Sequence, residues 1–337
     1  MYLRKISAIV AVTLTAGVLA ACGGSSRDTE TTTAADPAAG STGATSAAGT
    51  APSLSGTISA DGSSTVGPLT TAAAEAFGAA NSGVQVTVGV SGTGGGFEKF
   101  CNGETDLSDA SRPIKPEETA ACAAKGIAFH EILIANDGIT LVANKDNDWA
   151  TCLTVDQLKA IWGPDSKAKS WKDVDASFPD ESLKLYGPGT DSGTFDFFTA
   201  AISGKEGASR SDYSPSEDDN VTVQGVAGEK GGLGYLGLSY FEQNQDTLKA
   251  VQVDGGSGCV TPSVATVQDK TYTPLSRPLF VYVKDESLKR PEVQAFMKYY
   301  TDSAATLATT ALFVPLTEAE IATEQADLTA ALTAVGA

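Results

Sequence analysis

Four short Ser/Thr/Gly clusters hold the residues best suited to chemistry in this chain. They are Asp61-Gly62-Ser63-Ser64-Thr65, Ser91-Gly92-Thr93-Gly94-Gly95-Gly96-Phe97, Ser108-Asp109-Ala110-Ser111-Arg112-Pro113 and Gly189-Thr190-Asp191-Ser192-Gly193-Thr194-Phe195. Each lies where an extended pattern gives way to a helical one. A helix start offers unpaired N–H groups and the positive end of its dipole, and glycine lets a ligand approach the backbone, so each cluster is a candidate oxyanion contact. Arg112 adds a guanidinium that can bind an oxyanion bidentately, with Asp106 and Asp109 close in sequence to orient it.

Other chemistries find less support. Asp191-Ser192-Gly193 has the look of a serine nucleophile, but its base would have to be His130, the chain's single histidine. That scarcity also argues against a metal-dependent phosphatase, and no two cysteines are spaced closely enough for a zinc site. Gly232-Leu233-Gly234-Tyr235-Leu236-Gly237 fits G-x-G-x-x-G but follows a charged loop, so close packing explains its glycines better than a dinucleotide does. Trp149, Trp162, Trp171, Tyr186, Phe195, Phe197 and Phe198 read as core or lobe-surface aromatics. No cofactor and no catalytic residue is expected.

The elements that must position these clusters alternate as in an α/β protein. Thr57–Asp61, Val84–Val90, Asp106–Ala110 and Ile127–Ile134 read as extended, separated by helices over Pro68–Ala80, Gly95–Cys101 and Pro116–Lys125. Asn136-Asp137-Gly138 has turn chemistry and leads into an apolar strand to Asn144. Helices follow over Val155–Trp162 and Gly193–Ile202, with a strand at Leu183–Tyr186 and a polar loop at Ser209–Asn220. Val221–Ala227, Gly234–Leu238, Leu248–Val253 and Pro278–Lys284 read as strands, and two helices, Pro291–Leu307 and Thr317–Leu332, close the chain.

The N-terminus has its own logic. Arg4 and Lys5 precede an apolar run from Ile6 to Leu19, and Leu19-Ala20-Ala21-Cys22 reads as a lipobox. The expectation is a signal peptide over 1–21 with Cys22 acylated, so that the protein is extracytoplasmic and attached to the cell membrane through a lipid anchor. Residues 22–55 then form the lipidated cysteine and a disordered linker rich in Gly, Ser, Thr and Ala, whose r.m.s. span as a flexible coil is about 30 Å. The 282 residues from 56 to 337 suggest two lobes. Net charge is −18, and −20 once the signal leaves, which argues against nucleic acid as a partner. Four cysteines remain, Cys101, Cys122, Cys152 and Cys259, an even number that favours two disulfides in an exported chain, with three pairings open.

Taken in order, the four clusters together with Asp137-Gly138-Ile139-Thr140, Gly232-Leu233-Gly234-Tyr235 and Pro274-Leu275-Ser276-Arg277-Pro278-Leu279 resemble the extracytoplasmic phosphate-binding proteins of Pst-type ABC transporters, a branch of the periplasmic binding proteins. The resemblance covers nearly all of 56–337. It implies an α/β Venus-flytrap fold of two lobes joined by two crossover strands: 56–138 as the first part of lobe I, 139–275 as lobe II and 276–337 as the return to lobe I. It also implies high-affinity capture of inorganic phosphate and delivery to membrane permease subunits, without enzymatic activity. The ligand-binding segments carry over to Ser64, Thr65 and Val66, to Ser91, Thr93, Gly94 and Gly95, to Ser111 and Arg112, and to Asp191, Ser192, Gly193 and Thr194.

The chain departs from the best-known form of that family at two positions: a binding aspartate there corresponds to Arg112 here, and a binding arginine there falls near Pro188. Arg112 is accordingly expected to carry the principal positive charge, Arg277 a smaller part, and Asp191, or failing that Asp109, to accept the ligand's proton. Crossover strands near 135–142 and 272–280 put Cys101 and Cys122 in one lobe and Cys152 and Cys259 in the other, which implies those two pairings. The competing readings are a receptor for another oxyanion such as sulfate or molybdate, and a hydrolase using Ser192.

Overall fold

The computed structural model describes residues 54–190 and 192–336. The expected signal peptide over 1–21, Cys22, the expected linker up to residue 53 and Asp191 lie outside the described residues. The fold is a two-lobed α/β arrangement, as the resemblance implied, and its organising element is a single 16-residue strand, Phe129–Asn144. The N-terminal half of that strand pairs antiparallel with Ser276–Lys284. From Ile139 onward it pairs antiparallel with Gly232–Gly237 and Leu248–Asp254. One strand therefore belongs to both lobes.

In the first lobe Gly56–Gly62 runs parallel to Val84–Val90 on one side and to Leu107–Ala110 on the other. Ser276–Lys284 is inserted antiparallel between Leu107–Ala110 and the long strand. One face of this sheet buries Ile58, Leu69, Phe77, Val281, Phe296 and Tyr300 beneath the helices Gly67–Ala80 and Pro291–Asp302. The other buries Phe97, Phe100 and Tyr282 with the Cys101–Cys122 disulfide beneath Gly92–Cys101 and Pro116–Ala124. The second lobe packs Trp162, Phe198 and Tyr235 at its centre, the last two rings stacked 3.8 Å apart, and is tied by Cys152–Cys259.

Several local expectations are overturned. Asn136-Asp137-Gly138 is mid-strand rather than a turn. Pro278, which has no N–H, faces Asn136, whose own N–H and C=O bond instead to Val314. Val221–Ala227 belongs to the helix Asp219–Gly228, because the Asp218 carboxylate caps its first turn by accepting from Asn220 N–H, and Thr222, Val223 and Val226 face inward. The β-branched run had pointed to a strand. Pro291–Leu307 divides into Pro291–Asp302 and Ala304–Thr310 where Ser303 leaves helical backbone geometry. Within 209–220 a two-residue strand, Ser214–Pro215, interrupts the loop. Gly232–Gly237 is a strand in which a Cβ on Gly234 would come within 3.0 Å of Thr222 and Val226 side chains, so its glycines answer to packing.

The two disulfides close loops of very different length, with sequence separations of 21 and 107 residues. On chain-entropy grounds the longer loop stabilises more, by about 1 to 1.5 kcal/mol. Removing Cys152–Cys259 by a double serine substitution should lower the urea-unfolding free energy of the second lobe by more than removal of Cys101–Cys122 lowers that of the first. Equal losses in the two unfolding transitions would contradict this ordering.

Candidate anion-binding site

Ligand sites of open α/β sheets form beyond the carboxyl ends of the strands. Here Gly62, Val90 and Asp109 are register partners at the ends of three neighbouring parallel strands, so the segments that follow leave the sheet side by side. The Ser63 hydroxyl accepts from the N–H groups of Thr65 and Val66 at 3.2 and 3.4 Å, opening the helix Gly67–Ala80. The glycine-rich cluster is the first turn of Gly92–Cys101. Its Gly96 lies so close to the first strand that a Cβ would meet Gly62 Cα at 2.5 Å and the Asp61 carbonyl oxygen at 2.8 Å. Ser91 donates to Asp61, which also binds Lys99 at 2.6 Å. Thr93 Oγ1 accepts from Ser111 N–H at 3.2 Å and shares a 3.1 Å hydrogen bond with the Ser111 hydroxyl, so the second and third clusters meet.

Arg112 is held end-on. Its Nη1 and Nη2 donate to the two oxygens of Glu118 at 2.8 and 2.7 Å, and Nη1 also donates to the Pro113 carbonyl at 3.1 Å. Glu118 itself is fixed by the Lys115 N–H, and the guanidinium lies 5.6 Å from the Phe97 ring centroid. The Glu118 carboxylate raises the Arg112 pKa, opposed by burial. Burial pushes Glu118 up, but Arg112 and the Lys115 N–H outweigh it and hold that carboxyl below its usual range. Counting the five N–H groups of a guanidinium, the Nε–Nη2 edge has no partner among the described residues, and a Cβ on Gly94 would lie 3.9 Å from Nη2. The turn is further pinned by Tyr282, whose hydroxyl accepts from Ile114 N–H at 2.9 Å and donates to Glu131.

The second lobe contributes the helix Gly193–Ser203. Ser192 caps it by accepting from Thr194 N–H at 3.2 Å. A Cβ on Gly193 would overlap Thr65 Oγ1 and sit 3.0 Å from both Ser64 Oγ and Thr65 N, so this helix start abuts the first cluster. Between them lies Arg277. Its Nη2 donates to Thr65 Oγ1 at 2.7 Å and to the Gly193 carbonyl at 3.2 Å, its Nε donates to Asp137 Oδ2 at 3.2 Å, and its guanidinium carbon stands 4.0 Å from the Phe197 ring centroid. Arg277 and Asp137 are register partners on the two crossover strands, both largely buried. Burial lowers the Arg277 pKa against the pull of Asp137; burial raises the Asp137 carboxyl against the pull of Arg277.

The structure thus joins Ser64, Thr65 and Gly193, and separately Thr93, Ser111 and Arg112, with Gly94 beside the last. It places Arg277 and Asp137 at the meeting of the lobes, where sequence reasoning gave Arg277 the smaller part and Asp137 none. The available signal was that Asp137-Gly138 and Ser276-Arg277-Pro278 both stand on the expected crossovers. Asp109 is turned away from the cleft. It accepts from Thr70 at 2.8 Å, Thr70 in turn meets Tyr300 at 3.0 Å, and burial raises the Asp109 carboxyl to about 7, with Thr70 opposing and the Asp61 charge adding. His130 lies beside Asp285 at 3.3 Å and pairs with Val283. That is about seven ladder positions from Asp137, or about 24 Å, too far to serve a nucleophile in the cleft. A cavity of about 520 Å³ lies in the second lobe by Gly189, Phe195 and Tyr213. Its one charged base, Arg210, is spent on Asp212, Ser166 and two carbonyls.

Comparison with known proteins gives a consistent pattern. Residues 32–304 match the PBP superfamily domain. The phosphate-binding protein PstS of Staphylococcus saprophyticus is 44% identical over 275 residues, covering 81% of this chain and 84% of its own. The crystal structure of a possible phosphate-binding protein from Planctomyces limnophilus has 47% identity and a TM-score of 0.80, over 83% of this chain and all of that one. A putative phosphate ABC transporter substrate-binding protein from Clostridium perfringens, solved with bound phosphate, has 27% identity and a TM-score of 0.55, over 78% and 100%.

Two consequences can be measured. Gly193→Ala should hold the lobes apart, raising the small-angle-scattering radius of gyration in the presence of saturating ligand relative to wild type; an unchanged radius would show that the contact yields without cost. For Asp109, a folded-state pKa above the unfolded value means that the folded chain keeps a proton the unfolded chain releases. Its penalty is absent below about 4 and grows as pH rises to about 7, to at most about 4 kcal/mol. Asp109→Asn should therefore raise stability in urea melts at pH 8 by more than at pH 4, and a pH-independent difference would refute the buried acid.

Proposed function

We propose, from the premise that the chain belongs to the PBP superfamily and within it to the family of PstS phosphate-binding proteins, that it captures inorganic phosphate outside the cell membrane and delivers it to the permease of an ABC transporter. The observation that carries this reading is the convergence of Thr65, Gly193, Arg277 and Asp137 where the two lobes meet. The lobes would divide at about 138/139 and 275/276. A lipid on Cys22 and the linker that follows would hold the protein to the membrane.

Within the cleft, the hydroxyls of Ser64, Thr65, Thr93, Ser111, Ser192 and Thr194, with N–H groups at Gly94, Gly95 and Gly193, would donate to the ligand's oxygens, while Ser91 and Val66, whose protons go to Asp61 and Ser63, would shape the two helix starts. Arg112 would add its open Nε–Nη2 edge, the side-on fork that fits two oxygens of one anion. Asp137 takes the role of proton acceptor expected first of Asp191, which lies outside the described residues, and then of Asp109, whose Oδ1 accepts from Thr70 on the side away from the cleft. Arg277 engages Oδ2 of Asp137, and the carboxylate, which also accepts from the Gly138 N–H, would receive the proton of hydrogen phosphate. Sulfate carries no such proton and would face a bare carboxylate. Closure excludes water and strengthens each of these bonds.

Isothermal titration of lipid-free protein should give one phosphate bound per chain and sulfate binding weaker by orders of magnitude; equal competition by sulfate or molybdate would replace phosphate with a broader oxyanion class, and turnover of a chromogenic phosphate ester would favour a hydrolase. Arg112→Ala leaves an anion short of a charged fork, a loss of about 3–5 kcal/mol or roughly two to four orders of magnitude in affinity. Binding within threefold of wild type would remove Arg112 from the site.

A further inference from the structure

We propose that Arg277 is a specificity-determining positioning residue, which from the second crossover strand fixes Asp137 as an acceptor and the Thr65 hydroxyl as a donor, so that the closed cleft selects an oxyanion carrying one proton. The inference rests on the reading of Asp137 as the proton acceptor and adds what makes it one. A guanidinium only donates. Thr65 Oγ1, receiving Arg277 Nη2 at 2.7 Å, must turn its own O–H elsewhere, toward an acceptor such as an unprotonated ligand oxygen. Asp137 Oδ2 accepts from Nε at 3.2 Å and lies 3.1 Å from Nη2, and the Arg277 charge favours its carboxylate form, which can only accept, against the upward push of burial. Donor at one end and acceptor at the other is the pattern of hydrogen phosphate.

The same side chain couples this pattern to closure. Arg277 reaches Thr65 on the first lobe and the Gly193 carbonyl and Phe197 ring on the second, so all its contacts coexist only when the lobes meet. The charged groups around it are Asp137 on the facing crossover strand, Asp196 in the first turn of Gly193–Ser203, and Glu206 just beyond that helix. Burial raises Asp196 to about 6, with Glu206 adding and Arg277 opposing, so any variant at 277 will shift Asp196 as well. The sign for Asp137 is fixed by its burial: the accepting form exists above its pKa, Arg277 opposes the upward shift, and loss of Arg277 moves the failure of phosphate binding to higher pH.

The experiment titrates phosphate and sulfate against wild type, Asp137→Asn, Arg277→Gln, Arg277→Lys and the Asp137→Asn/Arg277→Gln double variant from pH 6 to 8.5, with thermal melts to establish folding. Arg277→Gln should lower the phosphate-to-sulfate affinity ratio about tenfold or more and shift its acid limb to higher pH. Arg277→Lys, which keeps the charge but not the fork, should hold the ratio within about threefold while both anions bind more weakly. In the Asp137→Asn background Arg277→Gln should leave the ratio unchanged, any remaining pH shift belonging to Asp196. If Arg277→Gln weakens both anions equally while Asp137→Asn shifts the ratio, Arg277 is a clamp and the inference fails. It fails equally if Arg277→Lys loses the ratio tenfold. If Asp137→Asn leaves the ratio untouched, the reading beneath it fails instead.

Discussion

The antiparallel ladder between Phe129–Asn144 and Ser276–Lys284 sets the geometry on which the rest of the molecule depends. Its register places Arg277 opposite Asp137 where the long strand changes partners from one lobe's sheet to the other's. Side chains alternate faces along a strand, so a slip of one residue would send both charges to the opposite side and leave two ionised groups buried without each other. Arg277 and Asp137 are, at 11% and 7% side-chain exposure, too enclosed for that to be tolerable. The ion pair and the strand register specify one another.

Around that ladder the chemistry is assembled from backbone features more than from net charge. Each of the two cleft arginines already has a carboxylate: Arg112 has Glu118, and Arg277 has Asp137. The local balance is close to neutral within a chain of net charge −18. An anion entering this cleft is therefore retained by directed donors, by two helix starts that face each other across the lobes, and by the exclusion of water, with no pool of excess positive charge. Such a site discriminates by the placement of hydrogens, which a long-range positive field would not.

Much of this was legible in the residues, for a physical reason. Clusters such as Ser91–Gly95 and Ser192–Thr194 are local signals, because a capping hydroxyl and a glycine that admits close approach are both short-range requirements. Val84–Val90 and Val155–Trp162 were legible in full, their periodicities being unambiguous. What could not be read was nonlocal. Asn136-Asp137-Gly138 has turn chemistry until Val314 and Ser276–Pro278 supply partners from more than a hundred residues away. Val221-Thr222-Val223 looks like a strand until Asp218 caps the chain into a helix. Arg112 was recognised from its neighbours, but its capture by Glu118, six residues on, and the rank of Arg277 beside it depend on how three elements meet.

Thr65 shows how few atoms separate scaffold from function. Its hydroxyl oxygen is taken by Arg277 and its N–H by Ser63, while the Gly193 Cα presses against it from the other lobe. Its O–H proton is the remaining polar element of the residue that can point to a ligand. A valine would fill the same volume and lose that proton, and in the same change would strip Arg277 of its hydrogen bond to the first cluster. Recognition and lobe closure are therefore a single hydrogen-bonding problem at this residue, and the geometry that solves one solves the other.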